Sequence, residues 1–145
     1  MAELLSQSHE SLDQVSAIPF RRHDERLEFC LITSIRKRRW GFPKEIIDPG
    51  ETLVETALKE AHEEAGLSGR IVGPPPGHYQ YHKWGIDLRV TVVLMEVCRC
   101  NATWDEDFAR ERRWVSPDDA RRLLAKSNLA QFLEIAVRQL ADSPL

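Results

Sequence analysis

The chain has 145 residues, of which 42% are hydrophobic and 30% are charged, so it fits one globular domain and is too short for two of ordinary size. Its 20 lysines and arginines against 23 aspartates and glutamates give a net charge of −3, which excludes bulk attraction to nucleic acid or an anionic membrane. Three cysteines are too few for a disulfide framework or a four-ligand zinc site and favour a reducing, cytoplasmic setting.

The N-terminal part is predicted to hold a tail followed by a hairpin. Residues 1–14 are polar and unpatterned, so we expect a flexible tail there and a single domain over residues 15–145. Residues 16–22 and 27–35 are rich in β-branched and aromatic side chains and flank a charged stretch, which predicts a β-hairpin.

A helix is predicted over residues 52–65. Its apolar residues recur at steps of four, three and four, which forms one stripe of a helix: Val54, Leu58, Ala61 and Ala65. Gly66 supplies the helix stop, and the turn at residues 49–50 ends the preceding loop.

The C-terminal half is predicted to alternate between strands and helices. Proline at three successive positions makes residues 73–77 a loop. Residues 88–97 form a β-prone central strand, and residues 113–115 a short last strand. Ser116 resembles the N-cap of a helix, and residues 129–140 have the spacing of another. This order predicts a mixed α/β layered domain.

Acidic residues are concentrated around the first predicted helix. Seven of them stand between residues 45 and 64: Glu45, Asp48, Glu51, Glu55, Glu60, Glu63 and Glu64. At about 100° per residue, Glu60, Glu63 and Glu64 share one face, opposite the apolar stripe. A solvated surface helix is the ordinary explanation of such a pattern. Like charges at this spacing repel, however, and the last two oppose the helix dipole, which favours a bound divalent cation, Mg²⁺ or alternatively Mn²⁺.

A basic segment precedes the acids in the chain. Its candidate phosphate-binding residues are Arg36, Arg38, Arg39 and Lys44, since arginine forks bind phosphate oxygens and lysine acts as a point charge. Alone, such a run is usually a solvated loop. Next to a metal-binding helix, it predicts a phosphate site.

The segment from residue 45 to residue 67 resembles the Nudix box, G-x5-E-x7-R-E-U-x-E-E-x-G-U with U apolar. Glu51 occupies the first glutamate position, and seven of the nine specified positions match. Glu45 stands where the family has glycine, and Lys59 where it has arginine. The resemblance implies an α/β/α sandwich around a mixed β-sheet.

The resemblance also implies an activity, the hydrolysis of a phosphoanhydride in a nucleotide derivative by water attacking phosphorus with magnesium. The implied metal ligands are Glu60, Glu63 and Glu64, while Glu51 and Lys59 organise the helix and its loop. The general base is left open between Glu60 and four acids outside the box: Asp105, Glu106, Asp107 and Glu111.

Residues 78–84 alternate aromatic and basic side chains. They indicate either a nucleobase-stacking segment, with Tyr81 and Lys83 as substrate-binding candidates, or an ordinary hairpin. Cys98 and Cys100 lie on one face of a strand end and are expected to be buried thiols.

The sequence therefore predicts a Nudix-type pyrophosphohydrolase acting on a nucleoside or dinucleoside polyphosphate, or on a diphosphoinositol polyphosphate. No nucleic acid or membrane partner is expected, and the choice between monomer and homodimer stays open. The departures at Glu45 and Lys59 motivate an alternative, a catalytically weak or inactive nucleotide-binding module. They also predict that Glu45→Gly raises kcat/KM, because glutamate adds a charge that repels the substrate. A third alternative is an acidic protein-interaction domain without a ligand.

Overall fold

The computed structural model describes residues 11–141, which form seven strands and three helices. The strands are β1 (Ser11–His23), β2 (Arg26–Thr33), β3 (Trp40–Gly41), β4 (Lys44–Ile46), β5 (Leu67–Lys83), β6 (Ile86–Cys100) and β7 (Arg112–Val115). The helices are α1 (Leu53–Ala65), α2 (Pro117–Leu123) and α3 (Ala130–Ala141). Within this range, no helix has the length and apolar character needed to cross a bilayer.

One sheet forms the middle layer of the molecule. Its order is β3-β2-β1-β6-β5, with β4 paired to β1 and β7 paired to β2. The β1–β6 pair is parallel and the other pairs are antiparallel, so the sheet is mixed. One apolar cluster joins α1 to one face, and another joins α2 and α3 to the opposite face. The predicted α/β/α sandwich is confirmed.

The strands β1 and β2 diverge beyond the pair Phe20–Phe29, and two short strands lie in the gap. There β4 pairs with β1 at Gln14–Ser16, and β3 pairs with β2 at Ile32–Thr33. Since β6 occupies the other edge of β1 and β7 the other edge of β2, β3 and β4 lie between the diverging strands. This geometry brings the segment before α1 into the centre of the fold.

Most of the predicted elements are confirmed. The hairpin is β1–β2, residues 88–97 lie within the inner strand β6, and residues 113–115 lie within β7. The Ser116 side chain caps α2 by accepting a hydrogen bond from the Asp119 amide. Helix α3 buries Phe132, Leu133, Ala136 and Leu140.

The domain begins earlier than the sequence predicts. Strand β1 starts at Ser11, and Ser11–Gln14 pair with residues 87–90 of β6. The prediction of an unpatterned tail is therefore wrong for residues 11–14, because pairing with a neighbouring strand orders a backbone whose side chains carry no apolar pattern. Residues 1–10 lie outside the described part of the chain.

The proline segment is not a separate loop. Residues 73–77 lie inside β5, at the edge of the sheet, where the register with β6 shifts between Val72 and Gly77. An edge strand with a bulge tolerates proline because the bulged residues need not donate to the ladder. The prediction of a loop between elements is wrong for this reason.

The cysteines also differ from the prediction. Cys98 and Cys100 are exposed, whereas Cys30 is buried in the core between α1 and the sheet. Both exposed thiols lie in the last residues of β6, and the last three residues of that strand are all exposed.

Candidate active site

Helix α1 is fixed at both ends by hydrogen bonds. Thr52 and Glu55 form a reciprocal capping box at its start, and Gly66 ends it in the left-handed conformation with φ 69°. The Arg112 guanidinium donates a hydrogen bond of 2.7 Å to the carbonyl of Ala65, in the last turn. This cation offsets the negative end of the helix dipole where two glutamates stand.

The buried face of α1 differs from the predicted stripe. Ala57, Ala61 and Ala65 pack on the sheet, whereas Val54 is 44% exposed. Glu60 and Glu64 are themselves buried, so they do not lie opposite the core as predicted. Small side chains allow a helix to approach the sheet closely, and this approach carries the two carboxylates into the interior.

Three carboxylates meet between α1 and β4. Oxygens of Glu45, Glu60 and Glu64 lie within 4.8 Å of one another. Glu60 Oε2 and Glu64 Oε2 are buried and accept no hydrogen bond from the described residues. Such oxygens destabilise a fold unless they find a partner, and a hard divalent cation is a partner that suits carboxylate oxygens.

Glu63 is not one of these three residues, but its carboxyl group lies within hydrogen-bond reach of Glu60. It lines a groove of about 400 Å³ together with His62 and Asp105. The structure therefore brings together two of the three predicted metal ligands, Glu60 and Glu64, and adds Glu45 to them. Glu63 stays near Glu60, and its charge acts on that carboxyl group.

Burial dominates the electrostatics of the two inner carboxyl groups. It raises the pKa of Glu64 to about 8, partly opposed by the Arg110 guanidinium. Burial, followed by the negative charge of Glu63, raises the pKa of Glu60 to about 7. The protein without a cation therefore holds protons in this cluster near neutral pH, and a cation would displace them.

Arg110 is a site residue that sequence reasoning missed. Its guanidinium donates to Glu106 at 2.7 Å and to the Thr33 carbonyl at 3.0 Å, and it lies 3.4 Å from Glu64 Oε1. It connects the end of β2 to the acid cluster. No spacing rule singles out this arginine within the charged segment that contains it.

Glu51 and Lys59 form an ion pair beside the cluster. Lys59 Nζ contacts both Glu51 oxygens, at 2.9 and 2.8 Å, and Thr56 donates to the same carboxylate. The lysine also lies 3.6 Å from Asp48. It therefore holds Glu51 through both oxygens despite lacking the guanidinium fork, and it links the loop before α1 to the helix.

A basic cleft of about 800 Å³ opens beside Glu64. Its cationic lining residues are Arg36, Lys37, Arg39, Lys44, Lys83 and Arg110. Its aromatic lining residues are Trp40, Phe42, Tyr79 and Trp84. Four predicted substrate-binding residues thus share one cleft, together with aromatic side chains that sequence reasoning placed there only in part.

Two predicted substrate-binding residues lie elsewhere. Arg38 reaches away from the cleft, to the Ala109 carbonyl at 3.3 Å and to Glu111 at 3.5 Å. Tyr81 accepts a hydrogen bond from Lys44 Nζ at 3.2 Å and donates one to Gln14 at 2.7 Å. Tyr81 therefore orients a cleft lysine and does not line the cleft.

The four acids outside the box have different surroundings. Glu106 pairs with Arg110, and its charge acts on Glu64. Glu111 pairs with Arg38, and Asp107 accepts a hydrogen bond from the Trp104 amide. Asp105 lies in the groove with Glu63. Of these four, Glu106 is the acid that shares Arg110 with Glu64.

Comparison with known families and proteins gives consistent results. The family model described as NUDIX domain matches residues 11–135. Nudix hydrolase 13, mitochondrial, of Arabidopsis thaliana is 28% identical over 129 residues, 82% of this chain and 64% of its own length. RNA pyrophosphohydrolase of Erythrobacter litoralis is 33% identical over 104 residues, 59% of this chain and 63% of its own length. The chain thus spans under two thirds of these relatives.

Solved structures share the fold at lower sequence identity. The Ap4A hydrolase of C. elegans superposes with a TM-score of 0.73 and 20% identity, over 90% of this chain and 98% of that one. The E. coli ORF135 protein gives a TM-score of 0.69 and 19% identity, over 95% and 96% of the two chains. At this identity the likeness establishes the architecture alone.

Proposed function

The chain belongs to the NUDIX domain family, and from this premise we propose that it is a pyrophosphohydrolase that cleaves a phosphoanhydride with the help of Mg²⁺. The proposed substrates are nucleoside or dinucleoside polyphosphates, or diphosphoinositol polyphosphates. The observation that carries the proposal is a pair of buried carboxylate oxygens, on Glu60 and Glu64, that have no hydrogen-bond partner within residues 11–141 and lie beside a basic cleft.

The acid cluster fits a hard divalent cation. Glu60, Glu63 and Glu64 are the proposed ligands, and the partnerless oxygens of the first and third are the atoms that a cation would satisfy. When bound, the cation would neutralise charge on the phosphoryl oxygens and acidify a water molecule. Mn²⁺ is the proposed alternative.

The chain's own residues supply the remaining functions. The proposed general base for the attacking water is a carboxyl group at the cluster, either Glu60 or, from outside the box, Glu106, which pairs with Arg110. Glu51, held by Lys59, fixes the loop before α1 to the helix. Arg110 stabilises the ionised form of Glu64 and belongs to the wall of the cleft.

The cleft supports a polyphosphate substrate. Cations on the segment after β2, at Arg36 and Arg39, and on β4 and β5, at Lys44 and Lys83, face one space. Guanidinium groups bind phosphate oxygens in pairs, and the exposed ring of Trp84 offers a stacking surface for a base. A small-molecule nucleotide fits this combination, and the net charge of −3 does not favour a nucleic acid.

The exposed free thiols of Cys98 and Cys100 support a reducing, cytoplasmic location.

The test is turnover of a panel of di-, tri- and tetraphosphate compounds with Mg²⁺, followed by identification of the products. We expect phosphoanhydride cleavage that excess chelator abolishes. Binding of these compounds without turnover would instead support the alternative of a catalytically inactive nucleotide-binding module. Absence of both would support the interaction domain.

A matched pair of arginine variants tests the role of the cleft in the same panel. Arg39→Ala should weaken binding more for longer phosphate chains, by about tenfold for the tetraphosphate, because each added phosphate brings charge that Arg39 meets. Arg38→Ala is the control, since that guanidinium pairs with Glu111 outside the cleft. Equal losses in both variants at every chain length would contradict the assignment.

A further inference from the structure

The carboxylate of Glu45 belongs to the acid cluster although the family pattern has glycine at this position. Glu45 lies on β4 opposite Val15, in the gap between the diverging strands. The backbone there is not left-handed, since the non-glycine residues with positive φ in residues 11–141 are Asp24, Glu25, Arg38 and Trp84. A side chain is therefore accommodated at residue 45 without strain.

The distances suit one cation shared by three residues. Oxygens of Glu45, Glu60 and Glu64 lie within 4.8 Å of one another. Ligand oxygens on opposite sides of Mg²⁺ stand about 4.2 Å apart, and those of a larger cation about 5 Å apart. The three carboxylates are therefore close enough for one cation to contact an oxygen of each.

The surroundings give these carboxylates little other compensation. Glu64 has a side chain only 4% exposed, and the Arg110 guanidinium lies 3.4 Å from it. Glu60 Oε2 and Glu64 Oε2 have no hydrogen-bond partner among the described residues. Glu45 uses one oxygen, Oε1, to accept the Ile46 amide at 3.0 Å. An exposed glutamate can turn into water, yet this one lies against two buried acids.

We infer that Glu45 is an additional side-chain ligand of the divalent cation, joining Glu60 and Glu64. The inference rests on the proposed function, since it concerns the same cation. It replaces the expectation that Glu45→Gly raises kcat/KM, because glycine would remove a ligand. The charge of Glu45 acts on the cation and so does not simply repel the substrate.

Binding of Mn²⁺ to the full chain tests the inference without substrate. The loss of the free-ion EPR signal measures this binding. Glu45→Gln should weaken Mn²⁺ binding by about tenfold or more, because it removes a charged oxygen ligand. The amide oxygen of glutamine still accepts the Ile46 amide, so β4 keeps its contact. Glu45→Gly should weaken binding at least as much.

Glu25→Gln is the matched control for the loss of one negative charge. Glu25 is exposed in the turn between β1 and β2, roughly 25–30 Å along β1 from the residue that faces Glu45. The Mn²⁺ affinity of the Glu25→Gln variant should stay within about twofold of that of the unsubstituted chain. Thermal unfolding in chelator should show that all variants fold.

Glu64→Gln separates the inference from the proposed function. If Glu64→Gln weakens Mn²⁺ binding and Glu45→Gln leaves it unchanged or tighter, the inference about Glu45 is wrong and the proposed function stands. If the unsubstituted chain binds no Mn²⁺, or if Glu64→Gln has no effect, the proposed metal site itself is overturned.

Discussion

Glu64 combines two properties that ordinarily exclude each other, a carboxyl group and nearly complete burial. Desolvation disfavours its charged form, and Arg110 opposes that effect only in part. In the metal-free fold the ionised form of Glu64 is therefore unfavourable, and a bound cation would stabilise it. Residues that break local rules in this way are expected at functional sites.

This arrangement predicts a pH dependence for the metal-free protein in chelator. The pKa of Glu64 is raised to about 8 in the fold from 4.5, so between these values the folded state holds a proton that the unfolded state has lost. The stability should therefore fall as the pH rises from about 4.5 to 8, and then level off. Glu64→Gln should reduce this loss by on the order of 5 kcal/mol.

Urea unfolding at pH 5 and pH 9 with EDTA measures the effect, and Glu25→Gln is the control. The same pH dependence in Glu64→Gln and in the unsubstituted chain would show that Glu64 is ionised in the metal-free fold.

The site residues show which contacts a sequence can predict. The spacing of Glu60 and Glu64 places them on one helical face, but their burial depends on how closely the alanines let α1 approach the sheet. Glu45 and Arg110 join them from segments 15 and 46 residues away in the chain. Contacts of that kind arise from tertiary packing, and no periodic pattern contains them.

The contacts at the two ends of α1 determine where this helix lies. The capping box fixes where the helix begins, and Gly66 turns the chain directly into β5. A Cβ on Gly66 would lie 2.8 Å from the Trp104 Cβ and 2.9 Å from Arg112 Nη1. The glycine therefore provides a left-handed conformation and also space for the arginine that caps the helix.

Gly66→Ala should destabilise the fold by about 2–3 kcal/mol, from left-handed strain together with the steric contact. Gly50→Ala is the matched control, because Gly50 has φ 88° but no heavy atom from the described part of the chain within 4 Å of the added carbon. Strain alone should cost that variant about 1 kcal/mol. Chemical denaturation of both variants measures the difference, and equal losses would contradict a steric role for Trp104 and Arg112.

The elements that local chemistry specifies follow the sequence closely. Thr52, Gly66, Ser116 and the apolar spacing of α3 mark helices that the structure confirms. The sequence does not predict the start of β1 or the inclusion of the prolines in β5, because both depend on pairing with β6. Pairing between distant segments decides those boundaries.

At the scale of the whole molecule, the diverging strands connect the acid cluster to the basic cleft. The segment between β2 and α1 carries the cations of Arg36 and Arg39 and then β4 with Lys44 and Glu45. Because β4 lies between β1 and β2, its two neighbouring side chains serve different parts of one site. Lys44 lines the cleft and Glu45 meets the buried acids of α1.

The proposed function depends most on a cation that the acid cluster holds and that phosphoanhydride cleavage needs. The most direct measurement is the steady-state rate of Glu64→Gln against the unsubstituted chain on the best substrate, with saturating Mg²⁺. We expect a loss of at least about 100-fold, since a charged ligand is removed while the helix remains intact, and a rate near that of the unsubstituted chain for Glu25→Gln. An unchanged rate in Glu64→Gln, or full activity of the unsubstituted chain in excess chelator, would contradict it.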